Sequence, residues 1–469
     1  MRASTRILVV GGGPAGSTVS GLLAKQGYEV TLLERDHFPR YHIGESILPS
    51  CRPIFEALGV WDKLVAHGFK GKGGAYFFWG EDEWEVRFSE LGDNTPNAWQ
   101  VVRSEFDQLL LDHAKELGVD VHEGISVKEL EFDGERPVAA QWAQTKDASV
   151  SGRIEFDYLV DASGRNGVLA TKYLKSRKFH NVFRNVATWA YWKDATPLDR
   201  GPEGAITVSS VDDGWFWTIP LHDGTTSVGL VTGRDHFNEL RNELGSIEAV
   251  YERALGRCPS IAQQLDGATQ ISAMKTEQDY SYASERLSGP NYLLVGDAAC
   301  FLDPLLSTGV HLATYSGMLA AAALSSVLRG EVEQDQAFEF FGTVYRQSYE
   351  RLLVLVSVFY ESYRGKDYHF YNAQKLTKND RDELDLQSAF DKIITGIADM
   401  EDAQDVYSRV HEHLNGATSG DPNPLANLNK VHEQKAAPMS PDNAIAGLYL
   451  TFRPQLGLAK ADHVPVAQH

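Results

Sequence analysis

The sequence predicts an α/β protein in which a parallel, helix-covered sheet is interrupted by an inserted antiparallel sheet and followed by a helical C-terminal region. Three observations carry that expectation. The chain opens with "RILVVGGGPAGSTVSGLLAKQGYEVTLLER", which reads as apolar strand, glycine turn, amphipathic helix and second strand, a compact βαβ unit. From about Val186 to Met274 the pattern changes to strands rich in Val, Thr, Trp and Tyr, separated by turn residues such as "DDG" and "HDG". "NYLLVGDAAC" then supplies one more parallel strand, and an alanine-rich helix runs through Leu328.

Each further element has a place in that scheme. With 469 residues the chain exceeds what one core usually serves, so at least two units share an interface. Helical segments over Cys51 to His67 and Ser104 to Gly118 alternate with strand-like "GAYFFWG" and "EWEVRF", before "FDYLVDASG" returns to the first fold. The expected division is a nucleotide-binding fold over 1–185 that resumes over 286–330, an antiparallel sheet of a substrate domain over 186–285, and a helical region with a loop-rich tail over 331–469.

Composition narrows the function. A formal net charge of -20 repels nucleic acid and anionic membranes, so neither is an expected partner. The basic stretch Lys172, Lys175, Arg177, Lys178 and Arg184 reads as solvated surface. Cys51, Cys258 and Cys300 form neither a CxxC pair nor an even framework, which fits a reducing compartment without structural zinc. The N-terminal run "ILVV" is too short for a signal peptide. No apolar stretch is read as reaching the roughly 18 residues that span a bilayer, so a cytoplasmic location is expected.

The first turn is a dinucleotide cradle. Gly11, Gly13 and Gly16 give G-x-G-x-x-G between strand and helix, and Glu34 closes the second strand at the distance of a ribose-binding acid. The glycines permit close backbone approach, and the helix start offers free N–H groups to a pyrophosphate. "VGDAACFLDPLLSTG" adds a second nucleotide-contacting segment late in the chain, which a large FAD needs. Its Gly-Asp strand end resembles the motif of the glutathione-reductase-type FAD-binding fold, as do Arg103 in "VVRSEFDQLLL" and the "DASG" at Asp161 to Gly164. The resemblance implies that Asp297 accepts from ribitol hydroxyls and that Arg103 serves the cofactor. No second G-x-G-x-x-G is available for NAD(P)H, so electrons arrive from elsewhere.

"DDGWFWTIPL" puts Trp215, Trp217 and Ile219 on one face of a strand and Phe216 and Thr218 on the other, which alone describes an aromatic stripe in a sheet core. Together with "RYHIGESILP" and "LLSTGVHLATYS", the intact W-x-W-x-I-P element resembles the flavin-dependent halogenases, from the first strand to about Leu376. "RYHIGESILPS", "FDYLVDASGR" and "GVLATKYLK" look most like the fungal halogenases of phenolic polyketides.

That resemblance implies an enzyme in which FAD, supplied reduced by a separate NAD(P)H flavin reductase, gives hypohalous acid with oxygen and chloride or bromide. Trp215 and Trp217 would wall the flavin from the substrate, and a lysine would hold the oxidant beside the ring. In "GFKGKGGAYFFWG" spacing back from Trp79 selects Lys72, with Lys70 as substitute. A lysine suits the task because its ammonium is a flexible donor and burial lowers its pKa. Thr308 and Gly309 in "LLSTGV" are the implied halide site, Val310 would face the flavin, and Gly12, Ala15 and Glu45 match FAD-contacting positions. Leu306 stands where the tryptophan halogenases carry a glutamate, which argues against free tryptophan.

An oxygen-activated ring suits electrophilic halogenation, so a small phenol, free rather than carrier-bound, is the expected substrate. Phe359 to Lys375 either lines its pocket or packs as helix, and His311, Tyr363 and His369 stay open as its base. The histidines of "HEH" at His411 to His413 diverge on a helix, so no metal is expected. A single-component flavin aromatic hydroxylase, a flavin-dependent prenyl-chain reductase and a redox-inactive flavin-binding regulator are the competing readings. The first would need an open path that the tryptophans obstruct, and the others leave Lys72 without a task.

Overall fold

The parallel sheet forms because its strands are apolar on both sides. In the computed structural model, which describes residues 1–80, 82–88, 98–361 and 438–461, Ser4–Val10 lies between Val30–Glu34 and Ser151–Asp161 and runs parallel to both. Val30–Glu34 is buried at every position, as a sheet covered on two faces requires. Asp120–Glu123 extends the sheet on one side. Tyr292–Leu294, the returning strand expected from "NYLLVGDAAC", extends it on the other. The helix Pro14–Lys25 follows the glycine turn with proline in its first turn, where the missing N–H costs nothing.

The helix Gly309–Leu328 packs against Pro14–Lys25. It is long and apolar enough to cross a bilayer, but 94% of its apolar window is buried within the protein. It is a buried core helix, and the architecture is the α/β one that the sequence predicts.

The second sheet runs Cys300–Phe301, Lys275–Ser284, Arg177–Lys193, Thr225–Gly233, Gly214–Pro220, Ile206–Val211, Gly74–Trp79 and Asp82–Arg87. Two features of it lie outside the sequence reading. Its longest strand, Arg177–Lys193, begins before 186. "GAYFFWG" and "EWEVRF" also join this sheet, the first pairing parallel with Ile206–Val211 and the second antiparallel to the first. Without them Ile206–Val211 would present an open edge.

The strand Gly214–Pro220 divides two cores. Trp215, Trp217 and Ile219 enter the large core shared with the parallel sheet. Phe216 enters a smaller one, edge-on to Tyr251 at 5.5 Å, beneath the helices Arg234–Leu244, Ile247–Leu255 and Pro259–Gln264. At the C-terminal end, the helix Gln334–Glu361 packs on Gly309–Leu328. The hairpin Leu448–Thr451 and Gly457–Lys460 is tied to it by Leu458 N–H donating to Ser326 Oγ at 2.7 Å. Tyr363, His369, the Phe359 to Lys375 segment beyond Glu361, and His411 to His413 lie outside the described residues.

Candidate functional site

The glycine turn is shaped for close approach. Gly11 has φ +106°, and a Cβ there would meet Ala162 O at 2.3 Å; one on Gly16 would meet Gly11 O at 1.9 Å. A Cβ on Gly13, the cap of the helix, would meet nothing closer than Arg40 Nη2 at 3.3 Å, so the chain is tight behind the turn and open in front. Gly12 N–H donates to Glu34 Oε2 at 2.6 Å and Asp36 N–H to Glu34 Oε1 at 2.8 Å, which pins the expected ribose acid beside the turn. Ala15 is buried under it. Asp297 stands in a turn at the end of the returning strand, with its pKa raised to about 6 by desolvation against the opposing charges of Arg165 and Arg103.

A short strand, Ala98–Gln100, gathers the next group. On one side it bridges to Ser46, while Ile47 N–H donates to Trp99 O at 2.9 Å and Val101 N–H to Glu45 O at 2.7 Å. On the other it pairs antiparallel with Lys70–Lys72, placing Lys72 opposite Ala98. Arg103 follows directly: its Nη1 donates to Ile43 O at 2.6 Å and Gly44 O at 3.2 Å, and its Nε and Nη2 make a forked pair with the buried Asp107. Arg103 therefore holds the Gly44-Glu45-Ser46 loop in place. Three sequence-distant predictions, Glu45, Arg103 and Lys72, thus converge on one strand.

Lys72 is 4% exposed, and its Nζ sits 5.4 Å from the centre of the Phe88 ring. Desolvation lowers its pKa to about 7. Lys70 is partly exposed and pairs with Glu203 at 3.5 Å.

The pair Trp215 and Trp217 has a third indole beside it. Trp189 pairs across Gly229 with Trp217, and the indoles lie 6.2 Å apart, with Trp215 a further 6.1 Å from Trp217. The close fit depends on Gly229, where a Cβ would fall 2.1 Å from the Trp217 ring. Trp217 Nε1 donates to Ser227 Oγ at 3.2 Å. Trp189 Nε1 donates to Tyr41 Oη at 2.7 Å, Tyr41 and Tyr191 hydroxyls meet at 3.0 Å, and Tyr191 donates to Glu45 Oε1 at 2.5 Å. Glu45 is buried with its pKa raised to about 7 by desolvation, which hydrogen bonds from Tyr191 and Ser227 offset in part. Trp189 and Tyr191 alternate within "ATWAYWK", a signal of the same kind as that of Trp215 and Trp217, but their tie to Glu45 is visible only in the fold.

Thr308 caps the helix Gly309–Leu328, and Ser307 before it adopts φ +58°. The buried Asp303 fixes the approach, accepting from Asn185 Nδ2 at 2.8 Å and Leu305 N–H at 3.0 Å. Gly309 is exposed at the helix start, where N–H groups lack intrahelical acceptors, and Val310 is buried behind it. His311 is buried and stacked 5.5 Å from Tyr315.

FAD fits this surface. Ser46 Oγ, Ser50 Oγ, Gln100 Oε1 and Thr308 Oγ1 are buried polar atoms without protein partners, and such atoms normally have one. They lie on the Gly44 to Cys51 loop, the strand Ala98–Gln100 and the start of the helix Gly309–Leu328, a donor and acceptor set suited to a polar cofactor. A separate cavity of about 260 Å³, lined by Lys70, Pro202, Thr207, Thr218, Pro220 and Gln264, opens on the face of the tryptophan strand that Trp215 and Trp217 do not occupy.

The family profile described as tryptophan halogenase matches residues 6–97 and 91–408. A tryptophan 2-halogenase of Chondromyces crocatus is 42% identical, over 98% of this chain and 94% of its own. A flavin-dependent halogenase of Armillaria mellea is 38% identical, over 93% and 87%. Among solved structures, the FAD-dependent myxobacterial chondrochloren halogenase superposes with TM-score 0.75 at 32% identity, covering 94% of this chain and 99% of that one.

Proposed function

The chain belongs to the tryptophan-halogenase family and is an FAD-dependent halogenase, and from that premise we propose that Lys72 holds hypohalous acid for electrophilic halogenation of a phenolic ring. FAD, when bound reduced, supplies that oxidant from oxygen and chloride or bromide, and enzymes of this family take their reduced flavin from a separate reductase. Lys72 carries the reading because it is the buried lysine of its strand, with a pKa near neutrality, so that its Nζ either donates a hydrogen bond to the acid or carries the halogen as a haloamine.

The other residues take roles around it. Trp215 and Trp217, stiffened by Trp189 and Gly229, exclude the organic substrate from the flavin side. The N–H groups of Thr308 and Gly309 hold the halide, and Val310 bounds the flavin. Gly11, Gly12, Gly13, Ala15 and Gly16 receive the pyrophosphate, Glu34 and Asp297 the hydroxyls, and Arg103 keeps Glu45 in place. FAD occupies the parallel-sheet parts of the 1–185 and 286–330 segments, and the substrate meets the second sheet, which takes in Gly74–Trp79, Asp82–Arg87 and all of Arg177–Lys193 besides the strands of 186–285, together with the region after 331. Three isolated buried thiols suit a cytoplasmic location.

Leu306 supports a phenol over tryptophan, because it brings no carboxylate to take the ring proton. The Armillaria relative stands on the fungal side of the family, while the Chondromyces relative carries tryptophan in its name. One experiment separates the readings: FAD-loaded, reduced enzyme is mixed with oxygen, bromide or chloride, and either resorcinol or tryptophan, and the products are weighed by mass spectrometry. Halogenated resorcinol without halogenated tryptophan is expected. Halogenated tryptophan would overturn the reading of Leu306, and halide-independent hydroxylation would favour the aromatic hydroxylase.

A further inference from the structure

Outside the flavin and lysine region, three ligand-type side chains meet at one point. His67 ends the helix Trp61–His67, Glu105 lies in the first turn of Arg103–Glu116, and His222 lies in the turn after Gly214–Pro220. His67 Nε2 is 2.8 Å and His222 Nε2 3.1 Å from the same oxygen, Glu105 Oε2. One ligand atom from each residue lies within 4.8 Å of the other two.

The geometry points to a divalent-cation site on His67, Glu105 and His222, with a donor set suited to zinc. Two imidazole nitrogens and one carboxylate oxygen are a recurrent zinc set, and bonds of about 2.0–2.2 Å space tetrahedral ligand atoms about 3.3–3.5 Å apart. Two edges of this triangle, at 2.8 and 3.1 Å, are slightly shorter than that and the third lies within 4.8 Å, so an ion would widen the first two slightly and set the third to the same spacing. Phe69 orients both rings, lying 4.2 Å from His67 and edge-on to His222 at 5.3 Å. The side chains are 31%, 41% and 21% exposed in the order His67, Glu105, His222, which leaves access for a water as fourth ligand. Among the described residues His222 Nδ1 is buried without an acceptor, so this histidine lacks the outer-shell partner that strengthens a metal ligand, and weaker binding than at a fully supported site is expected.

No local motif announces this site. Its members come from three distant segments, and neither cysteine pairs nor histidine spacing bears on them. The ion would be structural: it would tie the helix that begins at Arg103, and the Phe69 approach to Lys72, to the turn that follows the tryptophan strand.

The test uses the FAD-loaded full chain, stripped with a chelator and titrated with zinc in equilibrium dialysis. One zinc per chain is expected. His67→Ala, His222→Ala and Glu105→Gln should each weaken binding by more than the roughly 10–100-fold that loss of an outer-shell partner costs. His236→Ala, which removes the imidazole paired with Asp213 elsewhere, should leave it unchanged. Cobalt(II) added to the wild-type chain gives a second readout that needs no variant: the intense visible bands of a tetrahedral ion are expected. Lack of saturation at one zinc per chain, binding that survives the His67→Ala/His222→Ala double variant, or a cobalt spectrum no stronger than that of the hydrated ion would overturn the proposal.

Discussion

Lys70 and Lys72 stand two residues apart on one strand, where alternation directs both side chains to the same face, yet they live in opposite surroundings. The Lys70 side chain is 37% exposed and reaches Glu203 at 3.5 Å. Lys72 is buried beside Phe88, and its backbone pairs with Ala98 where the strand enters the core. Burial lowers the pKa of Lys72 to about 7, so that it is close to balance between ammonium and amine near neutrality. Depth, not residue type or face, separates the solvated lysine from the one proposed to hold the oxidant. The tryptophan strand differs by face instead, both faces being buried, with Trp217 against Gly229 and Ser227 on one and Phe216 against Tyr251 on the other.

The strongest way to break the comparison is Lys72→Ala. Ring halogenation should fall by about 100-fold or more, the scale of losing one positioned donor at a reacting centre, while halide-dependent oxidation of the reduced flavin continues. Halogenated product per flavin oxidised is the quantity to measure. An unchanged ratio would remove Lys72 from the chemistry.

The two faces of the tryptophan strand should part in a similar way. Phe216→Ala opens a cavity in the smaller core and should cost about 3–5 kcal/mol in stability, with product per flavin unchanged in the folded fraction. Gly229→Ala forces the Trp217 indole to move and should cost about 1–3 kcal/mol, but with product per flavin reduced because the wall is displaced. Equal effects of the two on coupling, read by denaturant titration alongside product analysis, would mean that the indoles are core and nothing more.

A smaller effect follows from the protonation of Lys72. Its folded pKa of about 7 lies below the ordinary 10.5, so between those values the unfolded chain binds more protons than the folded one. Stability from this group therefore rises as pH climbs from about 7 to 10.5, and the full burial penalty applies below 7. The penalty is of the order of a few kcal/mol. The difference in unfolding free energy between wild type and Lys72→Met, followed across that window, isolates the group from Glu45 and Asp297, whose raised pKa values act in the opposite sense at lower pH. A pH-independent difference would show that Lys72 keeps its ordinary pKa.

What could be read in advance was local. The glycine turn, its helix and Glu34 lie within one βαβ unit, and Trp215 and Trp217 declare their shared face by spacing alone. The extent of the second sheet was not legible, because Gly74–Trp79 reaches it by pairing with Ile206–Val211 from far along the chain. Nor was the hydroxyl chain from Tyr41 through Tyr191 to Glu45, whose members meet only when the loop before Glu45 folds against Arg177–Lys193. Periodicity reports which face a side chain takes; it is silent on which distant strand covers that face. Motif spacing already preferred Lys72 to Lys70, but the difference in burial between them depends on the distant strand Ala98–Gln100.

Lys70→Ala is consequently the most discriminating of the small effects. The pair with Glu203 joins a side chain 37% exposed to one 94% exposed, and such pairs contribute about 0–1 kcal/mol. The variant should shift stability by no more than about 0.5 kcal/mol and leave product per flavin intact. Its neighbouring cavity, which Lys70 lines with Thr218 and Pro220, adds a reason to make the measurement with the organic substrate varied. If that cavity takes the ring, Lys70→Ala should raise the KM for resorcinol without lowering the maximal halogenation rate. A collapse of that rate instead, with Lys72→Ala still active, would transfer the reagent's role to the exposed lysine and refute depth as the deciding property.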